Sequence, residues 1–181
     1  MGRTARGVRA ISLAEDDEVI GATVPKEGEQ ILTATEKGLG KRTQIEAFRA
    51  QRRGGKGLTA MSTREEDFVE HLFITSTHDY IMFFTNTGRA FRLKAYELPE
   101  ASRTAKGTAI VNLLQLSQGE KIAAVIPVKD YNAELYVLMA TRNGLVKKTR
   151  LEEYSNIRKS GIQGITLKED DELIDVRLTD G

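Results

Sequence analysis

The sequence predicts an all-β fold built from repeated four-stranded units, and three observations predict it. Glycines 7, 57, 107 and 161 recur at spacings of 50, 50 and 54 residues. Two short β-like runs follow each of them. Three hairpin turns, Glu36-Lys37-Gly38, Asn86-Thr87-Gly88 and Arg142-Asn143-Gly144, then join further pairs of apolar runs. A period of about fifty residues with four strands in each points to propeller-like blades.

Each unit opens on a basic corner. Arg-x-x-(Lys/Arg)-Gly appears with Arg3 and Arg6, with Arg53 and Lys56, and with Arg103 and Lys106; the fourth copy, with Arg158 and Lys159, is looser. The first β-like runs are 8–13, 58–61, 108–114 and 162–167. After an acidic bend come the second runs, 18–24, 68–75, 121–128 and 172–178. The hairpins follow, with first strands at 30–35, 80–85 and 135–141. Glycine in their turns supplies the positive φ that a tight hairpin favours. The return strands carry cations: Lys41 and Arg42, Arg89 and Arg92, Lys147 and Lys148. An aromatic closes each unit (Phe48, Tyr96, Tyr154), and its recurrence marks it as packing. Helical character is expected only at 100–105 and 151–154. The chain thus reads as one domain, 1–181, of three and a half repeats: 2–48, 49–98, 99–154 and a partial 155–181. The partial unit leaves a strand edge. Closure by the N-terminal strands, an incomplete chain and a partner are the three ways to account for it.

Composition removes several function classes. There is no cysteine, so disulfides and thiolate metal sites are excluded. His71 and His78 lie in different segments without partnering ligands. No apolar run has the length of a membrane span, which favours a cytoplasmic protein. Net charge is +1, so attraction to a polyanion must come from segregation of charge. Residues 37–57 hold seven cations against one acid, Glu46. The acids gather at 15–18, 65–67 and 169–172; lacking the spacing of a calcium loop, they read as solvated bends. The stretch GLGKRT at 38–43 is not a phosphate loop, because Thr35 and Arg42 stand where that motif needs glycine and Ser/Thr. No catalytic residues, metal ligands or cofactor site are expected.

The strongest candidate site is QRRGGKG at 51–57. Arg52, Arg53 and Lys56 place positive charge on a turn whose glycines, Gly54, Gly55 and Gly57, let the backbone approach a ligand closely. Exposed N–H groups plus cations suit phosphate. The clear sister copies carry Thr4-Ala5 and Thr104-Ala105 where this one has Gly54-Gly55, so the glycine pair needs a local cause. Gln51 is expected to bond the nucleic-acid backbone or fix the loop. The other corners (Arg3, Arg6, Arg103, Lys106) and the return-strand cations (Lys41, Arg42, Arg89, Arg92, Lys147, Lys148) would extend a curved basic rim. Such a rim contacts phosphates of a bent duplex and reads no bases. The competing expectation is a propeller used as a protein-interaction module, with affinity insensitive to salt.

QRRGGKG resembles the box that marks the C-terminal domain of DNA gyrase A. EEDFVEHLF at 65–73, SRTAKG at 102–107, LIDVRLTDG at 173–181, MGRTARGVR at 1–9 and GLGKRT at 38–43 are similar to that domain as well. In the related topoisomerase IV protein the box is degenerate or missing, which leaves a topoisomerase IV-like DNA-binding domain as the nearer alternative. The resemblance implies a β-pinwheel, a disc of four-stranded blades that exchange strands with their neighbours. It implies wrapping of double-stranded DNA, with the box required for the wrap. It also implies a bacterial, nucleoid-associated setting alongside the rest of gyrase A and its companion, gyrase B. The parent enzyme is an ATP- and Mg-using type II topoisomerase that introduces negative supercoils; this chain by itself is expected to be non-catalytic. Against about six blades in the family, this chain carries three and a half units. Its first unit resembles a late blade placed ahead of the box, so a rearranged or incomplete chain and a shorter DNA path are expected.

Overall fold

The computed structural model describes residues 7–35, 37–63 and 67–181. Their regular structure consists of strands and four short 3₁₀ turns. The strands are β1 (Gln30–Thr35), β2 (Leu39–Gln44), β3 (Val69–Thr75), β4 (Tyr80–Thr85), β5 (Arg89–Lys94), β6 (Thr108–Ala109), β7 (Ile122–Val128), β8 (Tyr136–Thr141), β9 (Val146–Arg150), β10 (Ile162–Gln163) and β11 (Leu173–Thr179).

The three hairpins β1–β2, β4–β5 and β8–β9 form for the same local reason. Gly38, Gly88 and Gly144 sit at φ of +81°, +80° and +84°. A threonine at the start of each turn accepts twice. Its carbonyl takes the glycine N–H at 2.9–3.0 Å. Its hydroxyl takes the N–H of the residue after the turn glycine, from Leu39 (3.0 Å), Arg89 (3.2 Å) or Leu145 (3.1 Å). An acid from the following repeat then clamps each turn. Asp67 accepts from the Lys37 N–H, Glu120 from the Thr87 hydroxyl, and Asp171 from the Asn143 N–H, at 2.9–3.1 Å. The expectation that the acidic bends at 65–67 and 169–172 are simply solvated is corrected here: Asp67 and Asp171 are buried, as is Glu120. Residues 65 and 66 lie outside the described residues.

Sheets are assembled across repeats. The orders are β3-β1-β2-β6, β10-β5-β4-β7 and β11-β8-β9. Every pairing within these sheets is antiparallel. Each hairpin takes its long flanking strand from the next repeat. The first two also take a two-residue strand from the repeat after that. Strand exchange between blades is therefore built into the sheets.

The same rule corrects the strand expectations. Runs 8–13, 18–24 and 58–61 contain no strand; 8–13 contributes a single bridge, at Ile11. Among the described residues no earlier hairpin exists for them to join. Run 108–114 yields two strand residues and then a 3₁₀ turn, and 162–167 yields two. Residues 100–105 are not helical, whereas Leu151–Tyr154 is a 3₁₀ turn. The closing aromatic is also re-registered. Tyr96 is 56% exposed. The true counterparts lie thirteen residues after each turn threonine: Phe48, Leu98 and Tyr154. Leu98 and Tyr154 are buried and Phe48 is half-buried.

Two apolar cores stack on opposite faces of the middle sheet. Ile81 and Phe83 of β4 join Leu32, Phe91, Leu98 and Ile110 on one side. Met82 and Phe84 join Ile126, Val137, Met139 and Tyr154 on the other. Successive strand side chains point to opposite faces, so a strand covered on both sides reads as a continuous apolar run, here YIMFF. Each fully buried side chain of this size contributes about 1.5–3 kcal/mol.

Candidate nucleic-acid interface

The box at 51–57 is a tight turn carried on an extended strap. Gly55 N–H donates to the Arg52 carbonyl at 3.1 Å, closing a four-residue turn. Gly54, at its third position, has φ +73°, the requirement of a type II geometry. A Cβ on Gly55 would lie 3.1 Å from the Arg52 carbonyl oxygen. The turn is clipped to the segment before it. Gly54 N–H donates to Ala10 (3.0 Å), Ser12 N–H to the Gly55 carbonyl (2.9 Å), and the Ser12 hydroxyl to the Gly54 carbonyl (2.8 Å). Val8, Ala10 and Ile11 share with Gln51, Arg52, Arg53, Gly55 and Gly57 a shallow recess of about 240 Å³. Ser12 escaped the sequence reading. The available signal was a hydroxyl or amide residue five positions after each recurring glycine: Ser12, Ser62, Asn112 and Thr166.

Gln51, Arg52, Arg53 and Lys56 are exposed. Among the described residues none of the three cations makes an ion pair with an acid. Gly54, Gly55 and Gly57 are half-buried beneath them, with Gly57 at φ +79°. The corner therefore presents three cations outward from a backbone held at its base.

The return-strand cations do not form the expected exposed row. Lys41 is fully buried, and its Nζ donates to the carbonyls of Ser102 (2.7 Å) and Arg103 (2.9 Å). Burial, then the nearby Arg103 charge, lower its pKa. Arg42 is buried as well; its guanidinium donates to the Leu98 carbonyl (2.7 Å), the Tyr96 carbonyl (3.3 Å) and the Gln30 side chain. Burial lowers its pKa, with Glu100 opposing. Arg89 pairs with Glu120 at 2.7 Å and lies 4.7 Å from the Phe91 ring. Burial pushes Glu120 up. The Ser117 N–H, the Thr85 and Thr87 hydroxyls and the Arg89 charge together outweigh it and hold the carboxyl below its usual range. Arg92 donates to the Ser155 carbonyl and stacks on Tyr80 at 4.7 Å. The physical reason is common to these sites. Loops of later repeats fold over β2 and β5 and bring carbonyls, largely shielded from solvent at Leu98 and partly elsewhere, that these side chains satisfy.

Lys147 and Lys148 are the exception. Both are exposed on β9, Lys147 donating to the Gly164 carbonyl at 2.7 Å and Lys148 lying over the Tyr136 ring at 4.6 Å. Arg103 is half-buried and donates to the Thr59 carbonyl at 2.7 Å, while Lys106 is exposed. Arg3 and Arg6 lie outside the described residues. Among the described residues the exposed survivors of the expected rim are thus the box turn, Lys106 and the β9 face. Among the described residues no cluster of three or more metal-ligating side chains occurs, and no helix is long and apolar enough to cross a membrane.

The comparisons with known proteins agree with this architecture. A family profile described as "DNA gyrase C-terminal domain, beta-propeller" matches residues 1–26, 29–76, 79–129 and 135–180. DNA gyrase A of Clostridium acetobutylicum is 51% identical over 172 residues, which is 95% of this chain and 21% of that protein. DNA gyrase A of Streptococcus pneumoniae is 43% identical over 180 residues, 99% of this chain and 21% of that one. Among solved structures, a C-terminal domain of DNA topoisomerase IV superposes with a TM-score of 0.69 and 32% identity, covering 84% of this chain and 46% of that one. A DNA gyrase A C-terminal domain gives 0.66 and 25%, covering 83% and 48%. The chain spans about a fifth of the length of the curated relatives it matches.

Proposed function

This chain belongs to the DNA gyrase C-terminal domain family, and from that premise we propose that it binds and bends double-stranded DNA with the box turn as its anchor. One observation carries the reading. Arg52, Arg53 and Lys56 are exposed and unpaired among the described residues, on a glycine turn braced from below, whereas Lys41, Arg42, Arg89 and Arg92 serve the interior. Phosphate oxygens are the natural acceptors for such a corner, and Gly54 and Gly55 remove the side chains that would hold a strand away. Gln51 adds a neutral donor beside them. Lys106, Lys147 and Lys148, with Arg3, Arg6 and the remaining donors of Arg103, extend the path by charge alone. The contacts are to backbone, so binding is expected to be indifferent to base sequence.

In a longer polypeptide of this family the domain would hold a curved duplex for the rest of gyrase A and for gyrase B. Strand passage, ATP and Mg would belong to those parts, in the bacterial cytoplasm at the nucleoid. Titration of a short duplex at several salt concentrations tests the reading. Wild type should lose affinity steeply with salt. The Arg52→Ala/Arg53→Ala/Lys56→Ala triple variant should bind more weakly, with the logarithmic salt slope reduced by about 2.7, or 0.9 per lost phosphate contact. An unchanged slope overturns the assignment of the box as anchor.

A further inference from the structure

We infer that the corner at 155–161 is a second anchor for DNA phosphate, in which Arg158 and Lys159 take the places that Arg52 and Arg53 hold in the box. The inference rests on the duplex-binding reading above. Glycine spacing hides the match. Counted back from Gly161, Arg158 and Lys159 stand where the box has Gly54 and Gly55, and Ile157 stands where it has Arg53. Hydrogen bonding gives another register. Gly161 N–H donates to the Arg158 carbonyl at 2.8 Å, as Gly55 N–H donates to the Arg52 carbonyl at 3.1 Å. The four-residue turn has therefore moved two residues along the chain. Aligned by turn, both corners carry cations at the first two positions and glycine at the fourth. The 102–105 turn has serine first and alanine fourth, and its one cation, Arg103, donates to the Thr59 carbonyl.

The shift has its cause in the core. Ile157 is buried in the apolar cluster that holds Tyr154 and Ile165. It draws the chain inward ahead of the turn, and the turn forms beyond it. β5 then seats the corner from below. Arg92 donates to the Ser155 carbonyl and Arg89 to the Ser160 carbonyl. Gly161, at φ +77°, lies flat on the strand: a Cβ there would come within 2.8 Å of the Phe91 ring and 3.1 Å of the Ala90 carbonyl oxygen.

Above this seat Arg158, Lys159 and Ser160 are exposed. Neither cation pairs with an acid among the described residues. Two adjacent cations and a hydroxyl on a fixed backbone suit phosphate oxygens. Corners of this kind are covered by what precedes them. Among the described residues, the hydrogen bonds of the 101–107 corner run within itself or to Lys41, Arg42, Thr43, Thr59 and Ser62. The 155–161 corner likewise rests on an earlier strand, and its cations still face outward.

Position supports the same role. The 101–107 corner leads into β6 on the outer edge of β2, and the 155–161 corner leads into β10 on the outer edge of β5. The box leads into 58–61 at the same place in its own unit. The repeat thus sets the three corners in a row, one unit apart, with the box first and the new anchor last. A duplex gripped at both is held across two units.

Titration of a long duplex with the full chain at several salt concentrations tests the inference. Arg158→Ala/Lys159→Ala should bind at least about tenfold more weakly at low salt, with the logarithmic salt slope reduced by about 1.8, or 0.9 per lost phosphate contact. Arg142→Ala/Lys168→Ala removes the same charge from two other exposed residues and should keep the wild-type slope. A slope that falls in the box triple variant but not in the corner variant overturns this inference and leaves the box anchor standing. An equal fall in the Arg142/Lys168 control overturns it as well, because charge placed anywhere would then account for the effect. A box variant with the wild-type slope overturns the inference together with the reading it rests on.

Discussion

The box turn at 51–57 and its counterpart at 101–107 share one scaffold and differ in what holds it. Both close through a bond between equivalent residues, Gly55 to Arg52 and Ala105 to Ser102. Both rest on a residue five places after the preceding glycine: Ser12 N–H donates to Gly55, and Ser62 N–H to Ala105. The counterpart is then locked from two sides. Lys41 donates to the Ser102 and Arg103 carbonyls, and Arg103 itself reaches the Thr59 carbonyl. Among the described residues no side chain donates to the carbonyls of Arg52 or Arg53. Backbone conformation also differs. Gly54 lies at positive φ, while Asp16 and Asp170 are the non-glycine residues there among those described, so Thr104 is not. The repeat thus supplies the same turn twice, and the two copies differ in the positive φ at Gly54 and in the side-chain donors that lock the counterpart.

Three variants would break or sharpen that contrast. The largest effect is expected at the counterpart. Lys41→Met removes the side-chain donor of the Arg103 carbonyl and one of the two donors of the Ser102 carbonyl, and should destabilise the fold by about 2–3 kcal/mol in urea unfolding, with DNA affinity unaffected per folded molecule. The pH profile sharpens this result. Burial holds the Lys41 pKa below 10.5, so the unfolded chain binds more protons in the window between that lowered value and 10.5. Wild-type stability should therefore rise with pH across that window, and the methionine variant should lack this part of the rise.

Next comes a graft of the counterpart onto the box, Gly54→Thr with Gly55→Ala. Threonine is strained at φ +73°, and the alanine Cβ crowds the Arg52 carbonyl. A loss of about 1–2 kcal/mol is expected. Duplex affinity should fall further than the folded fraction, read by titration below the unfolding transition. Equal affinity in the grafted chain would mean that the glycines serve only the fold. The smallest effect belongs to Ser12→Ala, which removes one hydroxyl bond and should cost about 0.5–1.5 kcal/mol. Faster hydrogen exchange should then appear at the Gly54 amide and leave the Ala105 amide unchanged.

Much of this contrast was legible in the residues. The departure of Gly54-Gly55 from Thr104-Ala105 marked the box, and the local sequence explains it, since a positive φ at one position is a property of a few neighbouring atoms. The acid clamps were misread because Asp67 and Asp171 sit in runs of acids that look solvated. Their partners, Lys37 and Asn143, are thirty and twenty-eight residues away. Tyr96 was misregistered because an aromatic is a weaker marker than the turn threonine, whose count leads to Leu98.

By itself the sequence determined the repeat, the three hairpins, the glycine corners and the family resemblance, because tight turns and alternating apolar runs depend on a handful of adjacent residues. Tertiary structure alone decided which strands share a sheet and which cations remain free. A lysine on a return strand looks the same at 41 and at 147. Both donate to carbonyls of a later repeat, but loops close over the first and bury it against two of them, while the second reaches one, at Gly164, and stays exposed. The fate of a charge depends on which backbone oxygens arrive beside it, and those arrive from about sixty residues away at Lys41.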